Sequence, residues 1–140
     1  MLGYIKLTIP SQREFMKLTS NMEDYLEAVS LCADASGVAR VVDIRNMLNV
    51  KTPSVTGAIK ALCADGYVEH EPYQGVTLTP KGKRAAEDVK RRHALMSRFL
   101  REVLGVSPKT AEADACKLEH VVSKETLEKL HAYLHKQAEK

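Results

Sequence analysis

The chain has 140 residues, of which 44% are hydrophobic, 28% charged and 5% aromatic, with no Trp. This is the composition of a soluble globular protein, one ordinary domain or two small ones sharing a core; it excludes disordered and fibrous classes and argues against an aromatic stacking platform for single-stranded nucleic acid or carbohydrate. The net charge of +3 is unevenly spread: residues 1–80 hold seven basic against nine acidic side chains, whereas residues 81–100 hold seven against two.

Residues 1–20 carry Lys6, Arg13, Glu14 and Lys17 among apolar positions, so they lack the hydrophobic run and cleavage site of a signal peptide. No stretch approaches the roughly 18 apolar residues of a membrane span. A cytoplasmic protein without a membrane partner is expected, and residues 1–20 read as an N-terminal extension. Cys32, Cys63 and Cys116 are too widely and irregularly spaced for a disulfide framework or a zinc ribbon.

Ser20-Asn-Met-Glu23 has capping-box spacing, and Met22, Leu26, Val29 and Ala33 follow at helical intervals, predicting a helix from about Asn21 to Ser36 that stops at Gly37. A short helix follows over about Val42 to Leu48. Thr52-Pro53 then starts another, whose Val55, Ile59 and Leu62 form a buried stripe ending at Gly66. Residues 67–71 and 76–79 alternate around Pro72-Tyr-Gln-Gly75 and read as a β-hairpin. Helix, short helix, turn, helix, hairpin is the order of a winged helix-turn-helix. Thr79-Pro80 caps a long helix running toward Gly105, Ser107-Pro108 begins one to about Val122, and Ser123 begins the last, with Leu127, Leu130 and Leu134 on one stripe. The fold class is therefore mainly α, an α+β winged helix over residues 21–80 followed by an all-helical unit over 81–140. The second unit is too small for a robust core alone, so its apolar faces are expected to meet a second copy.

With Val55, Ile59 and Leu62 inward, Pro53, Thr56, Gly57 and Lys60 share the outer face, and Lys51, Thr52 and Ser54 sit at the helix N-terminus. Small polar groups suit a helix entering the major groove, and equally an ordinary solvated face. Lys81, Lys83 and Arg84 crowd the first turn of the long helix, where the macrodipole disfavours cations; a DNA phosphate beside the wing would supply the missing partner, a solvated patch being the alternative. Gln74 at the hairpin turn completes the candidate DNA contacts.

Asp24 and Glu27 share one face of the first helix, and Cys116, Glu119 and His120 one face of the penultimate helix, with His93 beside the stripe of the long helix. Each alone reads as a packed or solvated side chain. Together they combine carboxylate and imidazole, which suit manganese and ferrous iron, with a thiolate that shifts preference toward later metals.

Asn21-Met-Glu-Asp-Tyr-Leu-Glu27, Thr52-Pro-Ser-Val-Thr56, Tyr73-Gln-Gly-Val-Thr-Leu-Thr-Pro-Lys-Gly82, Arg92-His93 and Ala115-Cys-Lys-Leu-Glu-His120 resemble, in this order, the diphtheria toxin repressor family of metal-dependent regulators, and most closely its short manganese-transport branch. The resemblance implies metal-ligand roles for Asp24, Glu27, His93, Cys116, Glu119 and His120. It implies a homodimeric repressor of metal-uptake genes that binds a palindromic double-stranded DNA operator when loaded with Mn(II), or next with Fe(II); Co, Zn or Cd can substitute. Cys116 is the iron-type residue where manganese regulators carry Glu, while Asp24 stands where iron-type members carry Met. Ser97 and Glu112 replace a Glu and a His of the iron-type ancillary site, implying that this site is absent in that form, and Gly57 stands where relatives carry Gln or Lys. No enzymatic activity and no small-molecule substrate are expected, since neither a His-Glu-x-x-His motif nor a Gly-rich phosphate loop occurs. The alternative is a metal-independent winged-helix regulator responding to redox state through Cys116 or to a small effector.

Overall fold

A computed structural model describes residues 18–138. All but the last three residues of the expected N-terminal extension lie outside the described residues. Helix α1 (Ser20–Cys32) is followed by strand β1 (Val38–Ala39), helices α2 (Val41–Leu48) and α3 (Thr52–Ala64), the hairpin β2 (Val68–Glu71) and β3 (Gly75–Leu78), and then α4 (Pro80–Arg98), α5 (Pro108–Leu118) and α6 (Lys124–Ala138). The predicted helix-turn-helix and hairpin are present, and β1 adds a strand that the sequence reading missed. The sheet has the antiparallel order β1-β3-β2, with Ala39 opposite Val76 and Val68 opposite Leu78.

The start and stop of α1 differ from expectation. The N-cap is Thr19, whose side chain accepts from Met22 N at 3.2 Å, so no capping box forms and Glu23 is released for another use. The helix ends at Cys32 because Asp34 organises the next turn: its Oδ1 accepts from Ser36 N at 2.9 Å, Ser36 Oγ at 2.6 Å and Val38 N at 3.0 Å. An aspartate that satisfies three local donors competes with helix continuation.

One apolar core joins α1, α2, α3 and the sheet through Leu26, Val29, Ile44, Val55, Ile59 and Val76. A smaller cluster of Leu95, Met96, Ala115, Leu127 and Leu134 holds α4, α5 and α6. The long helix packs Ala85 against the first core, buries Ala86 and Val89 beyond it, and passes through a π-helical turn over Phe99–Val103 before reaching α5. No helix among the described residues is long and apolar enough to cross a membrane.

The junction between α3 and α4 is tight. Thr79 caps α4 by accepting from Gly82 N at 3.1 Å, while its hydroxyl donates to Gly66 O at 2.6 Å. Gly82 itself packs on the Tyr67 carbonyl, where a Cβ would sit 1.9 Å from the oxygen. Only glycine fits there.

Candidate functional site

Residues from both halves of the chain meet where α1 crosses α4 and the end of α5. Asp24 and Glu27 come from α1, His93 from α4, and Cys116 from the last turn of α5. Glu119 and His120 do not continue that helix, as the sequence reading had them; α5 ends at Leu118 and they lie in the following turn, where the bond from His120 N to Lys117 O has lengthened to 3.5 Å. The turn frees His120 to reach α1. Its Nε2 lies 2.8 Å from Asp24 Oδ1 and 3.4 Å from Glu119 Oε1, and its Nδ1 lies 2.9 Å from Glu23 Oε1. His93 Nδ1 lies 2.9 Å from Glu119 Oε2 and 3.8 Å from Cys116 Sγ, and its Nε2 lies 2.8 Å from Glu112 Oε1.

Two groups of three possible metal donors result, Asp24 with Glu119 and His120, and His93 with Glu112 and Cys116; within each the donor atoms lie within 4.8 Å of one another. Glu119 stands between them. It is 1% exposed, and among the described residues its Oε1 is the one buried side-chain oxygen without a hydrogen-bond partner: His120 is within ion-pair reach of it but outside bonding geometry. A buried carboxylate oxygen left unpartnered is costly unless a cation completes it. Glu27 lines an open cavity of about 390 Å³ together with Asp24, His93, Glu112 and Cys116.

The electrostatics fit a cation site. Burial, with the nearby Glu27 charge, pushes the Glu119 carboxyl up to about 7 against the opposing pull of His93 and His120. Burial pulls both imidazoles down, yet the carboxylates outweigh it: Glu112 and Glu119 raise His93, and Glu23, Asp24 and Glu119 raise His120. Cys116 is an exposed residue whose sulfur faces the cluster, and desolvation there followed by the charges of Glu119, Glu112, Glu27 and Asp24 pushes its thiol up to about 11. The cluster therefore retains protons that a divalent cation would displace. Carboxylate oxygens, two imidazoles and one thiol form a donor set for a first-row transition ion, and one that a magnesium ion avoids.

Sequence reasoning missed Glu112, which it treated only as a substitution, and the buried pair Glu23 and Arg92. Glu23 was read as a capping-box residue, which concealed its tertiary role. The one available signal for Arg92 was its place beside His93, on a face otherwise apolar.

The candidate DNA face separates from this cluster. Lys51, Thr52, Pro53, Ser54, Thr56, Gly57 and Lys60 are all exposed on α3 or at its N-terminus, opposite buried Val55, Ile59 and Leu62. Gln74 is exposed at the hairpin tip beside Tyr73, a fully solvated aromatic with φ of 66°. Lys83 and Arg84 are exposed on α4. Lys81 departs from the expected outward placement. Its Nζ donates to Asp65 O at 2.9 Å and lies 4.4 Å from the Tyr67 ring centroid, because the C-terminal carbonyls of α3 attract a cation that the N-terminus of α4 does not.

Comparison with known proteins agrees with both halves. Residues 17–76 match the iron dependent repressor N-terminal DNA binding domain, and residues 79–140 match the iron dependent repressor metal binding and dimerisation domain. An HTH-type transcriptional regulator of Methanocaldococcus jannaschii is 39% identical over 120 residues, covering 85% of this chain and 96% of that one. The transcriptional regulator MntR of Salmonella typhimurium is 40% identical over 112 residues, covering 80% of this chain and 71% of that protein. A manganese-dependent transcriptional repressor solved in complex with manganese superposes with a TM-score of 0.74 at 29% identity over 81% of this chain, which spans about half (52%) of that longer protein. With both halves matched in order and a relative covered almost from end to end, the chain belongs to the iron-dependent repressor family, DNA-binding transcriptional repressors that depend on metal.

Proposed function

We propose that this chain is a Mn(II)-responsive repressor of metal-uptake genes, with Fe(II) the next candidate, and that Asp24, Glu27, His93, Cys116, Glu119 and His120 hold the ion. The observation carrying this reading is the buried, unpartnered Oε1 of Glu119, set between donors of α1 and donors of α4 and the α5 turn. When bound, the cation supplies positive charge at the one place where the carboxylates of both halves converge. Empty, Asp24, Glu27 and Glu119 repel one another across the junction. A bound cation would offset this repulsion, and the ligands of α1, α4 and the α5 turn would then hold α1 against α4.

The functional units on this reading are residues 21–80 for DNA and 81–140 for dimerisation and metal. In the second unit Leu104 is 59% exposed and Val121 75%, with Val103 and Tyr133 also open, which supports burial against a second copy. Two such copies would present α3 to half-sites of a palindromic operator about one DNA turn apart, roughly 34–36 Å. Lys51, Thr52, Pro53, Ser54, Thr56, Gly57 and Lys60 contact the groove, and Gln74, Lys83 and Arg84 the flanking backbone. The partners are operator DNA and self, within the cytoplasm, and no substrate chemistry is assigned. Against the redox alternative, a thiol raised to about 11 carries little of the reactive thiolate at neutral pH.

The coupling is expected to be about 1–3 kcal/mol, a five- to 150-fold gain in operator affinity. The test is DNA-binding anisotropy on a duplex enriched from genomic fragments, in chelator, Mn(II), Fe(II) under anaerobic conditions, and Mg(II). Tightening by the transition ions but not by magnesium is expected; equal affinity in chelator and saturating manganese would overturn the reading.

A further inference from the structure

Behind the candidate ligands lies a second layer of charge. Glu23 is 5% exposed and Arg92 7%. Arg92 Nη2 donates to Glu23 Oε2, its Nη1 donates to Glu119 O at 2.7 Å and lies 3.5 Å from Glu23 Oε1, and its Nε pairs with Asp88 Oδ2 at 3.1 Å. The remaining contact of Glu23 Oε1 is His120 Nδ1, at 2.9 Å. A buried ion pair adds little to stability over an apolar pair of the same volume, so stability alone is a poor reason for this arrangement. Its contacts are more informative: one touches the ring of a candidate ligand and another the backbone of the next.

Resting on the repressor reading above, we propose that Glu23 and Arg92 form a positioning pair for the cation site. With Nδ1–H donated to Glu23, His120 turns Nε2 toward Asp24 and Glu119, the side where the other donors converge. Arg92 fixes the Glu23 carboxylate and at the same time anchors the Glu119 carbonyl, so the α5 turn keeps both ligands aimed at α1. A carboxylate behind a ligating imidazole sets its tautomer and plane and strengthens its donation, and loss of such a partner lowers metal affinity about ten- to a hundredfold. Glu23 itself offers no oxygen to the ion, since both are engaged by Arg92 and His120.

The test uses the full chain and the metals alone. Glu23→Leu combined with Arg92→Met removes one negative and one positive charge, so the net charge near the cluster is unchanged. Mn(II) affinity, read from the electron paramagnetic resonance signal of free manganese, is expected to fall about ten- to a hundredfold, while the metal-free protein still unfolds cooperatively. Glu23→Gln keeps an acceptor for Nδ1–H and is expected to lose less. A folded double variant that binds Mn(II) as tightly as wild type would overturn the pair while leaving the repressor reading intact. Wild-type protein that binds no metal would overturn both. A further measurement needs no variant: in the zinc-loaded wild type, His120 should show a slowly exchanging Nδ1–H in ¹H–¹⁵N spectra, and a proton on Nε2 instead would overturn the proposal.

Discussion

Upstream of Pro80 the interior, apart from Glu23 at the junction itself, is made of hydrocarbon: Leu26, Val29, Ile44, Val55 and Val76 have no exposure at all. Downstream, buried positions go to Arg92, Ser97 and Glu119 as well as to the few apolar side chains around Leu95 and Leu134, and large apolar groups are left outside at Leu104 and Val121. The difference shows which half can define its own shape. Apolar packing is non-directional and needs no cofactor. A polar junction holds one geometry only when each buried polar atom is hydrogen-bonded, and Glu119 Oε1 is not. The DNA-reading half is thus a rigid tool, and the junction behind it is the part whose geometry remains to be set.

The strongest way to break this contrast is to spoil the rigid half where it meets α4. Gly82→Ala places a methyl against the Tyr67 carbonyl, a backbone atom that cannot swing aside, and should cost more than about 4 kcal/mol. Thermal unfolding checks it; a melting temperature near that of wild type would show that α4 is not fastened to the hairpin as described.

Next in size is Glu119→Gln. Removing a charge that burial disfavours should raise metal-free stability while abolishing the metal response, a loss of about 1–3 kcal/mol of coupling. Paired melts and DNA titrations with and without Mn(II) separate the two effects. Retained metal activation of DNA binding would remove Glu119 from the site.

Cys116→Glu sharpens the comparison within the cluster. Thiolate favours Fe(II), Co(II) and Zn(II) over Mn(II), so the change should move relative affinity toward manganese by on the order of tenfold. The cobalt-loaded wild type should show a sulfur-to-metal charge-transfer band that the variant lacks. No such band in protein saturated with cobalt would mean that the sulfur is not a ligand.

The smallest expected effect is on pH dependence. The Glu119 carboxyl is held near 7 in the folded chain against an ordinary 4.5, so folding takes up a proton there, and the stability linked to that proton is lost as pH rises from about 4.5 through about 7. His93 and His120 are also raised above 6.5 and act in the same direction, present below that value and lost above their folded values. The metal-free wild type should therefore lose ground to Glu119→Gln as pH rises across this window. Manganese competes with these protons for the same groups, so its affinity should climb over the same range. A constant difference in melting temperature between the two proteins would contradict the burial argument.

The apolar half was easy to read from the sequence because periodicity encodes it. Val55, Ile59 and Leu62 face inward as their spacing requires, and Thr79-Pro80 starts α4 as read. The two-residue strand β1 was illegible: two residues carry no period, and pairing with β3 rather than local propensity creates it. At the junction, the six nominated donors were visible as residue types on helical faces, but their support was hidden. Glu23 satisfied a local capping pattern that the tertiary contact with Arg92 overrode, and Lys81 satisfied a surface pattern that the carbonyl of Asp65 overrode. Local rules fail where a charged side chain has a distant polar partner.

The fastenings between α3 and α4 have a mechanical consequence. Lys81 on the Asp65 carbonyl, Thr79 on that of Gly66 and Gly82 against that of Tyr67 join the recognition helix to the base of the long helix as one solid piece. From Pro80 to His93, beside the candidate site, that shaft is about 20 Å long at 1.5 Å per residue. Swinging it by about 10° around the candidate site would carry α3 sideways by roughly 3.4 Å, the spacing of successive bases on a strand. On the proposed reading, a small shift among carboxylates close to this pivot has the leverage to move the reading head by one base pair.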